Sequence, residues 1–382
     1  MKMKRFIFLA ISVFSLVACG NRENYEVAEY DPPTLPYYDN GDIYVSIANE
    51  LIVLGDEWPI DAMLALPAGA TADTPVPAVV IVAGSGSHSM DGTMGELDIY
   101  LDVANFLQEN GVASIRHNRR FYQYPEAAFE GYTLYEEVMA DALKALEVLL
   151  DDPRIDSDRI YLVGHSMGGF IAPRIHSLSE DAFNGLVLMA GTPRDMGTLL
   201  AEQVGNSIAE QREGIQYLAD NFDPEEIYEI LQMPLEDVEL LVDDFEGLLE
   251  DFKRMLSTLA EMPAEEVRGT TMSLGLDAYW VRDQLLHPFS ELVVDMDVDI
   301  LVLQPERDFQ VLADVDFVML QEIFAGRDNA QFKLYPDLNH LFMSSIATNF
   351  TEHGAELVAL MEMGGNMDAG MLGDIVNWIF NR

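Results

Sequence analysis

Cysteine is almost absent: the chain has one, Cys19, in 382 residues. Disulfides and cysteine-built metal sites are thereby excluded, since both need a second thiol. Positive charge is nearly as scarce. Lys and Arg number 21 against 66 Asp and Glu, only five of the 21 are Lys, and the formal charge is −45. Nucleic acid is excluded as a partner, because binding phosphates needs clustered cations. A carboxylate surface this dense reads as a solubility device rather than a binding site. Metal ligation has little to build on either: His88 has no His or carboxylate at ligand spacing and reads as a loop residue, so no metal and no cofactor is implied. Internal repeats are missing. The uncharged run Phe6 to Val17 is 12 residues, too short to cross roughly 30 Å of hydrocarbon as a helix.

That run is informative for what surrounds it. Lys2, Lys4 and Arg5 precede it, and Ala18 and Cys19 follow, the layout of a signal peptide over residues 1–18. Leu16, Val17, Ala18 and Cys19 resemble the lipobox of bacterial lipoproteins. The resemblance implies an exported protein anchored to a membrane of a bacterial cell envelope by lipid on Cys19; the alternative is an ordinary signal peptide with an incidental cysteine. Asn21 to Asn40, with three prolines and no apolar periodicity, reads as a tether within a lipidated N-terminal segment, residues 19–40.

Apolar residues make up 49% of the chain, enough for a large core. Over residues 41–192 and 291–382, short β-branched runs alternate with helical stretches, which predicts an α/β fold with a mostly parallel central sheet flanked by helices. Ile43 to Ala48 and Ile60 to Leu66 read as early antiparallel strands. Ala78 to Ala83, the helix Leu97 to Asn110 and the strand Val112 to Ile115 form one βαβ unit. Leu134 to Leu150 has helical spacing, Arg159 to Val163 is a buried-strand run, and Leu186 to Ala190, Ile300 to Leu303 and Gln331 to Tyr335 complete the strands before a last helix, Met371 to Phe380. Between residues 193 and 290 the strand pattern stops. There Val238, Leu241, Val242, Phe245, Leu248, Leu249, Phe252, Met255 and Leu256 fall on one helical stripe. This helical insertion sits between late strands, where a cap over the catalytic edge of the sheet belongs. Residues 194–290 carry 22 acidic and six basic residues, which reads as a solvated outer face.

Gly164, His165, Ser166, Met167 and Gly168 spell G-x-S-x-G. The pentapeptide alone is a modest signal. It directly follows an apolar strand and precedes a helical stretch, however, and that is the setting of a nucleophile elbow, in which the serine sits on a strained turn and small residues on either side avoid collision. The order Ser, acid, His limits the base to a later histidine. His176 comes too soon and His287 belongs to the insertion, which leaves His340, on the loop after Gln331 to Tyr335, with His353 as runner-up. Asp308 follows Ile300 to Leu303, where a carboxylate can orient an imidazole; Asp195, after the preceding strand, is the alternative acid. For an oxyanion, Met167 N–H supplies one donor and the loop after Ala83 the other, from Ser85 N–H or its neighbour Gly84.

Taken together, Pro77 to Gly86 (P-A-V-V-I-V-A-G-S-G), Arg116 to Arg120 (R-H-N-R-R), Ile155 to Pro173 (I-D-S-D-R-I-Y-L-V-G-H-S-M-G-G-F-I-A-P), Leu303 to Val311 (L-Q-P-E-R-D-F-Q-V) and Tyr335 to Phe342 (Y-P-D-L-N-H-L-F) resemble a bacterial family of exported α/β-hydrolases. Its members are described as dienelactone-hydrolase-like, serine-aminopeptidase-like or acyl-thioesterase-like. The resemblance covers roughly residues 41–382 and includes Ser166, Asp308 and His340. It implies an α/β-hydrolase fold with a helical cap insertion. One departure is Ala83, where relatives carry His before the Gly. The resulting expectation is a serine hydrolase that cleaves a small-molecule carboxylic ester through an acyl-enzyme. A peptidase or acyl-thioesterase with the same triad, and a non-catalytic binding lipoprotein on the same fold, are the alternatives, because fold and triad do not fix a substrate.

Overall fold

In a computed structural model of the protein, residues 48–55, 58–125, 131–231 and 233–382 are described. Cys19, the expected signal segment and the expected tether lie outside the described residues, as do Ile43 to Tyr44 and the rest of the first expected strand up to position 47. The first described strand is β1 (Ala48–Leu54), followed by β2 (Ile60–Leu66) and β3 (Val76–Val82). β1 was not expected beyond Ala48. Its outward residues are themselves apolar, Leu51 and Val53 being 56% and 57% exposed, so the alternation that marks a half-buried strand is blurred.

A two-stranded hairpin, β4 (Thr93–Met94) and β5 (Leu97–Asp98), precedes helix α1 (Ile99–Glu109), which therefore starts two residues later than its spacing suggests. Then come β6 (Ala113–His117), α2 (Ala140–Asp151), β7 (Ile155–His165), α3 (Met167–Leu178) and β8 (Gly185–Met189). The insertion contributes α4 (Met196–Asn221), α5 (Pro224–Leu231), α6 (Leu235–Leu259) and α7 (Ala278–Leu285). β9 (Asp299–Pro305), β10 (Ala330–Tyr335), α8 (Phe350–Met363) and α9 (Ala369–Phe380) complete the chain.

Eight strands form one sheet in the order β1-β2-β6-β3-β7-β8-β9-β10. β1, β2 and β6 pair antiparallel, and every pair from β6 to β10 is parallel. The parallel strands read as continuous apolar runs because both faces are covered. Successive residues point to opposite sides: Val80, Val82 and Leu162 pack with α2 and α3, whereas Val79, Ile81 and Val163 pack with α1 and α9. The insertion has a separate core in which Leu200, Val204 and Ile208 of α4 meet Val242, Leu249 and Phe252 of α6. Two members of the expected stripe, Leu241 and Leu248, stand on its flank, 48% and 38% exposed.

Candidate active site

At the carboxyl end of β7 the chain turns abruptly into α3. Ser166 occupies the turn with φ 54° and ψ −118°, a backbone conformation that L residues rarely adopt and that persists only when its surroundings enforce it. The glycines around it supply the room: a Cβ on Gly164 would strike the Gly168 carbonyl, and one on Gly168 would strike the Val82 carbonyl. Ser166 N–H donates to Met189 O at 2.8 Å, tying the turn to the end of β8. From the neighbouring strand, the loop after β3 closes in. A Cβ on Gly84 would lie 3.1 Å from Ser166 Cβ, a tight contact, so glycine eases the close approach of that loop to the serine.

Beyond β9, Asp308 is buried in a tight turn. Its Oδ1 accepts from Gln310 N at 2.8 Å and Val311 N at 2.9 Å. Its Oδ2 lies 2.7 Å from His340 Nδ1. Burial raises the carboxyl pKa, but the adjoining His340 and the hydrogen bonds from His340 and Val311 outweigh it and hold the group below its ordinary value. His340 stands on the turn after β10, which Asn339 fixes by accepting from Leu341 N at 3.0 Å and Met343 N at 3.1 Å. A neutral His340 that donates Nδ1–H to Asp308 leaves Nε2 bare, the form in which an imidazole can take a proton. Among the described residues no hydrogen bond joins His340 Nε2 to Ser166 Oγ. The two regions meet one residue earlier, where His165 Nε2 is 2.9 Å from the His340 carbonyl oxygen and the two imidazole centroids are 5.0 Å apart.

The other candidates separate. Asp195 caps α4, accepting from Thr198 N at 2.8 Å and Thr198 Oγ1 at 2.6 Å. His353, on α8, faces Phe309 and Gln310, with its Nε2 3.3 Å from Gln310 Nε2. Gly84 N–H is committed to Tyr100 Oη at 2.7 Å, whereas Ser85 N–H and Met167 N–H donate to no acceptor among the described residues. Ser85 is exposed, and its Oγ lies 3.9 Å from Met196 Sδ at the start of the insertion. Tyr100 and His165 are the site-lining residues that sequence reasoning missed. His165 fills a variable position of the elbow motif, and Tyr100 carries no signal beyond its place on the apolar face of α1.

The profile of the Alpha/beta hydrolase family matches residues 79–359. The chain belongs to the Alpha/beta hydrolase family. Its fold is the α/β-hydrolase fold, with β1 and β2 as the antiparallel entry to a parallel sheet. Among curated proteins, Esterase EstD of Thermotoga maritima is 26% identical over 306 residues, a match that covers 80% of this chain and 62% of that protein. The chain thus spans about three fifths of the length of this relative. Among solved structures, Est1E from Butyrivibrio proteoclasticus has a TM-score of 0.49 and 14% identity, covering 87% of this chain and 99% of that one. The dipeptidyl peptidase 4 of Porphyromonas gingivalis has a TM-score of 0.47 and 11% identity, covering 88% of this chain and 36% of that one. At that similarity neither structure bears on the chemistry.

Proposed function

We propose that this Alpha/beta hydrolase family member cleaves a carboxylic ester of a small molecule through an acyl-enzyme. Ser166 is the nucleophile, His340 its general base and then the general acid for the leaving alcohol, and Asp308 the group that holds the imidazole tautomer and balances its charge when protonated. The N–H groups of Met167 and Ser85 bind the oxyanion as the carbonyl becomes tetrahedral. Substrate carbonyl carbon gains the bond to Ser166 Oγ and loses the bond to the alkoxide, which leaves with the proton from His340; water then reverses the sequence and frees the acid. The observation that carries this reading is the buried Asp308–His340 pair, 2.7 Å apart, on turns beside a serine held at φ 54°. The esterase name of the Thermotoga maritima relative supports an ester over an amide or thioester.

A fluorophosphonate probe tests the nucleophile: it should label the parent protein at Ser166, and Ser166→Ala should abolish labelling together with turnover. Labelling that survives the substitution refutes the assignment. A panel of p-nitrophenyl esters, acyl-CoA and aminoacyl anilides then separates ester, thioester and peptide chemistry, and a protein that leaves all three intact is a binding protein instead. We further propose that the insertion, residues 193–290, acts as a cap over the site, a reading supported by the Met196 contact to Ser85. Anchoring through lipid on Cys19 is proposed from the sequence. Cys19→Ser should move the protein from the membrane fraction to the soluble one with its turnover intact, and unchanged membrane association would refute it.

A further inference from the structure

Tyr100 and His165 take no part in the reaction just described, yet between them they touch both halves of it. Tyr100 Oη is 2.7 Å from Gly84 N and 3.1 Å from His165 Nδ1, and His165 Nε2 is 2.9 Å from the His340 carbonyl oxygen. Both side chains are buried.

The positions of the hydrogens follow from what each atom can do. A carbonyl oxygen only accepts, so His165 Nε2 carries a hydrogen. Burial pushes the His165 imidazole pKa down to about 3, with His340 beside it acting in the same direction, so the ring is neutral and has no second N–H. Nδ1 is therefore an acceptor, and the Tyr100 hydroxyl donates to it. Burial likewise keeps that hydroxyl protonated, pushing its pKa up to about 12. The phenolic oxygen is then free to accept from Gly84 N–H. One direction runs through the whole chain: Gly84 N–H to Tyr100 oxygen, Tyr100 O–H to His165 Nδ1, and His165 Nε2–H to the His340 carbonyl.

We propose that Tyr100 and His165 are positioning residues that set the distance between the oxyanion-binding loop and the turn bearing His340. The inference rests on the roles given above to Ser166, His340 and Ser85 N–H. One end of the chain grips the N–H of Gly84, one peptide before the N–H of Ser85, the other grips the carbonyl of His340, and His165 between them is the residue preceding Ser166. The three parts of the site arrive from three different strand ends, and this hydrogen-bonded path links them. Gly84 has no side chain to hold its peptide in place, and a Cβ there would crowd Ser166; the Tyr100 oxygen supplies a restraint instead. Oxyanion donors act only when they lie about 2.7–3.1 Å from the developing charge, and a misplacement near 1 Å can cost about 100-fold in rate.

Tyr100→Phe removes one oxygen and keeps the ring, and His165→Gln keeps a donor for the His340 carbonyl while removing the rigid ring that holds an acceptor against Tyr100 Oη. In the full chain, each should lower kcat on a p-nitrophenyl ester by about 10- to 100-fold with KM within about threefold. Affinity for a trifluoromethyl ketone, which forms a tetrahedral adduct on the serine, should fall in parallel. The double variant should lose no more than the worse single one, because the two residues form one path. A folded Tyr100→Phe protein whose kcat stays within about twofold of the parent overturns the inference, as do losses that multiply in the double variant. If His165→Gln does not fold, Tyr100→Phe decides alone. A parent protein inert to the fluorophosphonate overturns the reading of Ser166 and this inference with it. A labelled parent beside an unaffected Tyr100→Phe overturns only the inference.

Discussion

The interior of the α/β core and the outer face of the insertion draw on the same surplus of carboxylates and use them in opposite ways. In the α/β core three acids go inside and each has a partner: Asp141 meets Arg120 at 2.6 Å, Asp316 meets Arg194 at 2.7 Å, and Asp308 meets His340 at 2.7 Å. On the outer face of α6 in the insertion they stay outside. Asp243, Glu250 and Asp251 have side chains 60%, 71% and 56% exposed, and their ion pairs with Arg212, Lys253 and Arg254 lie in solvent. The lesson is that residue type carries little information in a chain this acidic, whereas the strand end or helix face that presents the residue carries a great deal. A buried charge that loses its partner is expensive, and an exposed one is screened.

The sharpest test of that contrast lies in the site. His340→Ala should remove nearly all turnover while His353→Ala, equally buried, changes it by only a few-fold. Asp308→Asn keeps the shape but not the charge that fixes the tautomer, a change worth about 10⁴ in serine proteases; Asp195→Asn should leave turnover nearly intact. Kinetics on one short-chain ester settle both pairs, and a severe Asp195→Asn beside a silent Asp308→Asn would move the acid to the earlier strand. Next in size is the core pair. Asp141→Ala leaves Arg120 buried without its carboxylate and should cost about 3–5 kcal/mol in denaturant titration, whereas Asp243→Ala should stay within about 0.5 kcal/mol.

Acid sharpens the comparison in another way. Burial depresses the pKa of His117, and depresses those of His165 and His353 to about 3 and about 4, from an ordinary 6.5. Between pH 6.5 and about 4 the unfolded chain therefore binds protons at these positions that the folded protein does not, so their contribution to stability is complete above pH 6.5 and is lost as pH falls through that window. Partial neutralisation of a −45 chain works the other way, by relieving repulsion. The thermal midpoint should drop from pH 7 to pH 5 if the buried histidines dominate, and a midpoint that climbs would assign control to the surface. The smallest effect belongs to the outer face of α6: neutralising Asp243, Asp244 and Glu250 should alter the salt dependence of stability more than turnover. A loss of turnover comparable to that of Ser166→Ala would place this face in the site.

Much of the sheet was legible because its parallel strands, buried on both faces, are continuous apolar runs. The elbow was legible because its glycines answer to a backbone collision that recurs wherever a strand turns this sharply. β1 was not, since Leu51 and Val53 point outward and hide the alternation, and neither was the short hairpin before α1. That Asp308 and His340 follow neighbouring strands could be read from order; that their side chains meet could not. The choice between Gly84 and Ser85 as donor turns on Tyr100, and periodicity says only that such a tyrosine is buried, never what its hydroxyl holds.

The parallel order of the strands also sets a timetable. Ser166 and His340 are 340 − 166 = 174 residues apart in the chain, so at roughly 5–20 residues per second a ribosome makes the serine roughly 9–35 s before the histidine proposed as its base. During that interval the elbow strand β7 can pair with β3 and β8, but β9 and β10 do not yet exist, and the hydroxyl is that of an ordinary alcohol. The helices of the insertion are made in the same interval, on an unfinished sheet, and their separate core around α4 and α6 lets them condense without it. On the proposed assignment, reactivity thus comes late, after most of the sheet and the whole insertion have been made.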